Sequence, residues 1–322
     1  MKRARFVFAV MVFTECAAAG QAVPPFGAAG YAFPTTRVAS GQVITLFVRG
    51  LSVEDAAAQG APLPVNLNGV TVGVNTGIQS YPQSLPIFAI RSYPEECTAN
   101  VQFCGVTAVT VQVPTEAACT PSAFPNDVCY GPTVITVSVQ QNGATIEQVP
   151  LEISDPQPHI LNTCDTILAQ FGGCYPMVTH SNGHLISTAE PASPGETIVA
   201  YAVGLGETTP TVKSGAAAPS PAPAANRFVP VTLAFDLDLP PGSPPPPPLW
   251  APTGQWITPD FAGLVPGFVG LYQINLRLPD KLPAQVHHCL DFQDVNTRIL
   301  IGQGISEGQM QNVDTADICV RP

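Results

Sequence analysis

Polar and apolar positions alternate through residues 267–279, GFVGLYQINLRLP. Leu271, Gln273, Asn275 and Arg277 share one parity; Tyr272, Ile274, Leu276 and Leu278 share the other. Strand side chains point to opposite faces with period two, so this spacing predicts a strand with one polar and one buried face. QFCGVTAVTVQVP at 102–114 repeats the pattern, with Val109, Val111 and Val113 inward and Thr110 and Gln112 outward. Pro114 and Pro279 end the two runs, because proline has no N–H to give to a ladder.

The echo extends further. GQVITLFVRGL at 41–51 matches GETIVAYAVGL at 195–205, and LPVNLNGV at 63–70 matches VPVTLAFD at 229–236. In the opening pair Phe103 falls over Phe268 and Gly105 over Gly270, and TVITVSVQ at 133–140 parallels TRILIGQG at 297–304. Segments recurring in one order predict a duplicated domain. Short alternating runs separated by Gly and Pro clusters predict an all-β chain of two tandem Ig-like β-sandwiches. The boundary is expected in ISDPQPHIL at 153–161, giving a first domain over 23–155 and a second over 156–322.

The first residues, MKRARFVFAVMVFTECAAAGQAV, have the form of a secretory signal peptide over 1–22. Lys2, Arg3 and Arg5 precede a short apolar core, and cleavage fits after Ala19 or Ala22. Cys16 suggests lipidation, but Glu15 stands where a lipoprotein site wants a small residue. No other run is long enough to span a bilayer as a helix, so the mature chain is expected to be secreted or envelope-associated. The net charge of −11 with 12 basic residues argues against a nucleic-acid partner.

Nine cysteines fit export, and Cys16 lies within the leader. Neighbour pairing closes the shortest loops: Cys97–Cys104, Cys119–Cys129, Cys164–Cys174 and Cys289–Cys319. Other connectivities remain open. Zinc is the rival use of thiols, but no Cys-x-x-Cys pair occurs.

The second half carries a more specific pattern. HSNGHLISTAEPASPGETIVAYAVGLGETTP, AAAPSPAP and FAGLVPGFVGLYQINLRLP resemble the Solibacter-type C-terminal domain. The resemblance covers about 160–320, through Pro191, Pro194, Gly195, Glu196, Gly204, Gly206, Pro266, Gly267, Gly270, Tyr272, Gln273 and Asn275. It implies a secreted bacterial module with an Ig-like, IPT/TIG-related fold, and it brings no catalytic residues. The first half looks like a diverged copy. One departure is a Pro-rich insertion over 239–256, where Pro244–Pro248 favours an extended polyproline arm. Trp250 and Trp256 lie at its end: either their indoles cover the sandwich, or they offer a stacking surface to a ligand. The Ala/Pro stretch 215–225 reads as a long surface loop.

Reactive candidates are few. GISEG at 304–308 matches the Gly-x-Ser-x-Gly nucleophile pattern at Ser306, but a turn into a last strand follows instead of the helix a hydrolase uses. His180 and His184 flank Asn182 and Gly183, which suit a structural turn; His287 and His288 point oppositely in a strand and are poorly placed to chelate. Asp236, Asp238 and Asp260 offer carboxylates for calcium, without a recurring calcium loop. Gly204-Leu205-Gly206 follows a strand with no helix to complete a dinucleotide site. The expected function is a non-enzymatic structural or binding module without cofactor and of unknown ligand, for which a cell-surface protein and a polysaccharide are the candidate partners. The alternatives are glycan or polymer binding through Trp250 and Trp256, and serine hydrolysis at Ser306.

Overall fold

The computed structural model describes residues 23–27, 37–75, 84–93, 105–116, 133–154, 156–163, 175–237, 255–289, 295–306 and 309–322. Among these, the chain is all-β, without a helix. Among the described residues no helix is therefore long and apolar enough to cross a membrane. The strands before residue 155 are β1 (Val23–Gly27), β2 (Arg37–Ala39), β3 (Val43–Val48), β4 (Ala56–Ala57), β5 (Asn66–Leu67), β6 (Val70–Asn75), β7 (Ile87–Tyr93), β8 (Val106–Gln112), β9 (Thr133–Gln141) and β10 (Ala144–Ser154). They form two sheets, ordered β1-β3-β8-β7-β4 and β2-β10-β9-β6-β5. All pairings are antiparallel except β2 with β10, which is parallel.

After residue 155 come β11 (His159–Ile160), β12 (Val178–His180), β13 (Thr197–Val203), β14 (Thr208–Thr209), β15 (Ala224–Ala225), β16 (Val231–Phe235), β17 (Gln255–Ile257), β18 (Phe261–Leu264), β19 (Tyr272–Arg277), β20 (Thr297–Ser306) and β21 (Gln309–Ile318). One sheet runs β11-β13-β19-β18-β15-β14, with β12 also on β13; the other runs β17-β16-β20-β21. The two halves share a pairing plan: β3-β8-β7-β4 corresponds to β13-β19-β18-β15, and β10-β9-β6 to β21-β20-β16. The parallel contact recurs too, as an isolated bridge between Ala192 and Val320.

The registers agree residue by residue. Val43 pairs with Gln112 and Val48 with Thr107; at the positions matched in sequence, Thr197 pairs with Arg277 and Ala202 with Tyr272. The turn before each strand is also built alike. Gly41 and Gly195 have φ of 74° and 76°, where a side chain would be strained. Ala39 N donates to Gln42 Oε1 at 2.7 Å, and Ser193 N to Glu196 Oε2 at 2.9 Å. The backbone oxygens of Gln42 and Glu196 then accept from Val113 and Leu278, both at 2.8 Å. The match of 63–70 with 229–236 does not hold as read. The strand beside β9 is β6, whereas 63–70 supplies mainly the short β5; β16 is the strand inside 229–236. VTVGVN at 70–75 alternates as well as its neighbour does, and alternation alone does not fix which run sits in a sheet.

Two separate apolar clusters lie between the paired sheets. One draws on Val38 through Ile153, the other on Ile160 through Val320. Val109, Val111 and Val113 are fully buried, as are Ile274 and Leu276, so the predicted inward parity is observed. Each such aliphatic contributes about 1.5–3 kcal/mol by leaving water. The β9–β10 hairpin turns at Asn142-Gly143, both with positive φ, which matches the right-handed twist of its strands.

The expected Cys289–Cys319 bridge is present, with the sulfurs 2.08 Å apart and the Cα atoms 5.9 Å apart. Asn296 binds the same region: its Nδ2 donates to the carbonyls of His287 at 2.9 Å and Val320 at 2.7 Å. Its Oδ1 accepts from Val320 N at 2.9 Å. The leader, Cys16, Cys97, Cys104, Cys119, Cys129, Cys164, Cys174, Pro244–Pro248 and Trp250 lie outside the described residues.

Candidate functional site at the junction of the two cores

One end of the first pair of sheets meets one end of the second. The first contributes the turn before β3, the end of β8 and the loop before β7. The second contributes the residues after β13, the loop around Ser214 and the residues before β19. Val43, Phe88, Leu161 and Val203 make a small apolar cluster of their own across this boundary.

Polar groups fix the register of the contact. Gln112 sits at an outward parity, so the alternation predicts a wet side chain; it is instead 3% exposed. The second half covers it. Its Oε1 accepts from Gly215 N at 2.7 Å and its Nε2 donates to Gly41 O at 3.2 Å. Leu63 N donates to Gly215 O at 2.8 Å. The stretch 215–225 is thus more than a surface loop: Gly215 binds two segments of the first half, through Gln112 and Leu63, Ala218 is buried, and Ala224–Ala225 pairs with β18.

Glycine lets the backbones approach. A Cβ on Gly204 would lie 2.0 Å from Gln157 O of its own half and 3.3 Å from Gln42 Cδ of the first half. One on Gly270 would lie 2.8 Å from Val43 Cγ2 and 3.0 Å from Gly41 O. Gly204-Leu205-Gly206 follows β13 into this contact. Sequence reasoning missed Gln42, Gln112, Ser214 and Gly215 because nothing local marks a strand end as covered. The available signal was Gln112 at the position where the matching segment of the second half has Arg277.

Burial and hydrogen bonds set the electrostatics of the contact. Tyr272 is buried and its hydroxyl donates to the Gly206 carbonyl. Burial, with Glu207 nearby, pushes its pKa well above the usual phenol value, so it remains a donor. Ser214 Oγ donates to Glu116, and Ser214 N adds a bond to Glu116 Oε1 at 3.3 Å. Burial alone would raise the Glu116 pKa, but the bonds from the Ser214 side chain and nearby backbone outweigh it and the pKa falls. The free space beside Ser40, Gln112, Thr208 and Tyr272 is about 20 Å³. That is on the order of a single water.

The other nominated residues are dispersed. Trp256 is on β17 opposite Thr232 and 37% exposed. Ser306 ends β20 and pairs with Gln309 of β21, so its backbone belongs to a hairpin. A further histidine, His159, has its Nδ1 3.0 Å from Asp314 Oδ2, which also accepts from Ile160 N at 2.7 Å. His180 and His184 share a tight turn, with His180 N donating to His184 O at 2.9 Å. Asp236 follows β16, Asp260 precedes β18 and Asp238 lies outside the described residues. Among the described residues no three His, Cys, Asp or Glu side chains are grouped to hold a metal ion. No family model matches the chain, and no curated protein does.

Proposed function

We propose that the chain is a secreted or envelope-associated, non-enzymatic structural or binding module. It comprises two Ig-like domains, over 23–155 and 156–322, held in one fixed orientation. The observation that carries this reading is the junction, where buried Gln112 bridges Gly41 and Gly215 and glycines admit backbone contact. A flexible pair of beads needs no such contact; a spacer or scaffold that presents two surfaces at a set angle does.

The Ig-like part is supported by the strand plan. With β3, β6, β7, β8, β9 and β10 as strands B to G, one sheet is A-B-E-D and the other G-F-C. The first strand divides between them, β1 joining β3 and β2 joining β10 in parallel. The shared registers and turn bonds favour duplication as its origin, and the resemblance to the Solibacter-type C-terminal domain over about 160–320 agrees with export.

A cell-surface glycan or protein array probed with the mature chain tests the binding role, beside a variant lacking 239–256. Retained, saturable binding to a surface polymer or protein supports the module. Turnover of ester substrates that Ser306→Ala abolishes refutes it. Glycan binding through the aromatic arm is the second reading, favoured by the exposure of Trp256. Trp256→Ala then loses array binding; if the indole only covers the sheet, it loses melting temperature and binds as before.

A further inference from the structure

The turn before β13 differs from its counterpart before β3 in one chemical respect. Gln42 and Glu196 occupy the same place and accept the same type of backbone bond. Glu196 also faces an imidazole: His180 Nδ1 lies 2.5 Å from Glu196 Oε1. The other ring nitrogen, Nε2, lies 3.1 Å from the Glu190 carbonyl. Both ring nitrogens therefore face oxygens that can only accept. A neutral imidazole carries a single N–H, so it leaves one of these contacts as acceptor against acceptor. The imidazolium satisfies both. In the first half the ladder position matching His180 is Gly27, opposite Ile44 as His180 is opposite Ile198. The counterpart turn thus has neither the acid nor the imidazole.

We propose that His180 is a proton-operated latch, whose imidazolium ties β12 to Glu196 at the start of β13 and to the backbone of Glu190. The other charged or titratable groups at this turn are Glu190, His184, Asp280 and Arg277. His184 Nδ1 lies 3.3 Å from Glu190 Oε1, which puts a second histidine–carboxylate contact across the same turn. Asp280, beside Gly195, is paired with Arg277 at 3.0 Å. Burial opposes the charge on His180, but the hydrogen bonds to Glu196 and Glu190 outweigh it and raise the pKa above the ordinary value. A raised folded pKa gives stability that is complete below the unfolded value. It is lost as pH rises through the folded value. Acid closes the latch and alkali opens it.

Two readouts on the full chain test this. Nuclear magnetic resonance of the His180 ring follows protonation of each nitrogen; Glu196→Gln removes the charge while keeping the side chain that the first half already uses at Gln42. The expected result is a His180 that titrates above the usual value of about 6.5, with both nitrogens protonated below it. In Glu196→Gln the titration moves down. Melting temperatures from about pH 5 to about pH 9 then separate wild type from Glu196→Gln at the acid end and bring them together at the alkaline end. A His180 that titrates at or below the ordinary value overturns the proposal. So does a wild-type–variant difference that is the same at every pH. His180→Gln, which retains one donor, is expected to flatten the profile without unfolding the chain; an unflattened profile counts against the latch.

Discussion

Gly270→Ala tests whether the two halves are locked. Gly270 has φ of 64°, so an added side chain is strained before it meets anything. That strain is about 1–2 kcal/mol. The new Cβ would then lie 2.8 Å from Val43 Cγ2 and 3.0 Å from the Gly41 carbonyl, both in the other half. The methyl can rotate away but the carbonyl is backbone, so the halves must shift. Overpacking of this kind costs about 1–3 kcal/mol. Gly267→Ala is the matched control: its φ is 82° and nothing lies within 4 Å of its added Cβ. It carries the strain without the collision. Thermal denaturation of both variants gives the difference, at about 2–4 °C per kcal/mol for chains of this size. Gly270→Ala is expected to melt lower than Gly267→Ala by at least a few degrees. Equal melting would mean that the junction yields freely, and the fixed-orientation reading would fall.

Two further outcomes follow from the same geometry. Replacing both Cys289 and Cys319 by serine opens a loop of sequence separation 30 and is expected to cost about 3–4 kcal/mol in the chain-entropy model, measured by denaturant titration. Ser214→Ala removes the hydroxyl that holds the Glu116 pKa down, a contribution present above the usual carboxylate value and lost as pH falls through the lowered one. The variant is expected to melt below wild type near neutrality and to come closer to it in acid, where the lost bond from Thr115 N at 2.9 Å still counts.

Much of the architecture was legible because a strand's period-two pattern is local. Tyr272, Ile274 and Leu276 are buried and Arg277 is exposed, as the parity requires. The Cys289–Cys319 bridge was legible from proximity along the chain. The junction was not, because parity names the face of a side chain and not what covers that face. Gln112 and Thr110 share a parity, yet Gln112 is buried under Gly215 and Thr110 is only half-buried. The latch at His180 was partly legible: a turn through Asn182 and Gly183 was readable, but its carboxylate partner arrives from Glu196, across a ladder. Pairing across strands depends on register, which the 63–70 segment shows alternation does not specify by itself.

The contrast between Gln42 and Glu196 is itself a physical argument. Both residues make the same turn, but Gln42 is 3% exposed and its Cδ lies within 3.3 Å of where a Cβ on Gly204 would be. A carboxylate there would enter the junction with no cation among its described contacts. At 196 the same carboxylate has His180 beside it. A buried charge without a partner shifts its pKa or destabilises the fold, whereas a paired one is tolerated. The turn facing a neighbour therefore takes the neutral amide, and the turn facing an imidazole takes the acid. Gln42→Glu is nearly isosteric, so its effect isolates the charge. Burial raises a carboxyl pKa, and the sign follows: the penalty is full above the raised value and absent below the unfolded value of about 4.3. Gln42→Glu is expected to melt several degrees below wild type at neutral pH and to recover as the solution is made acid. A variant that melts like wild type at neutral pH would show that water reaches residue 42, and that the two halves part there in solution.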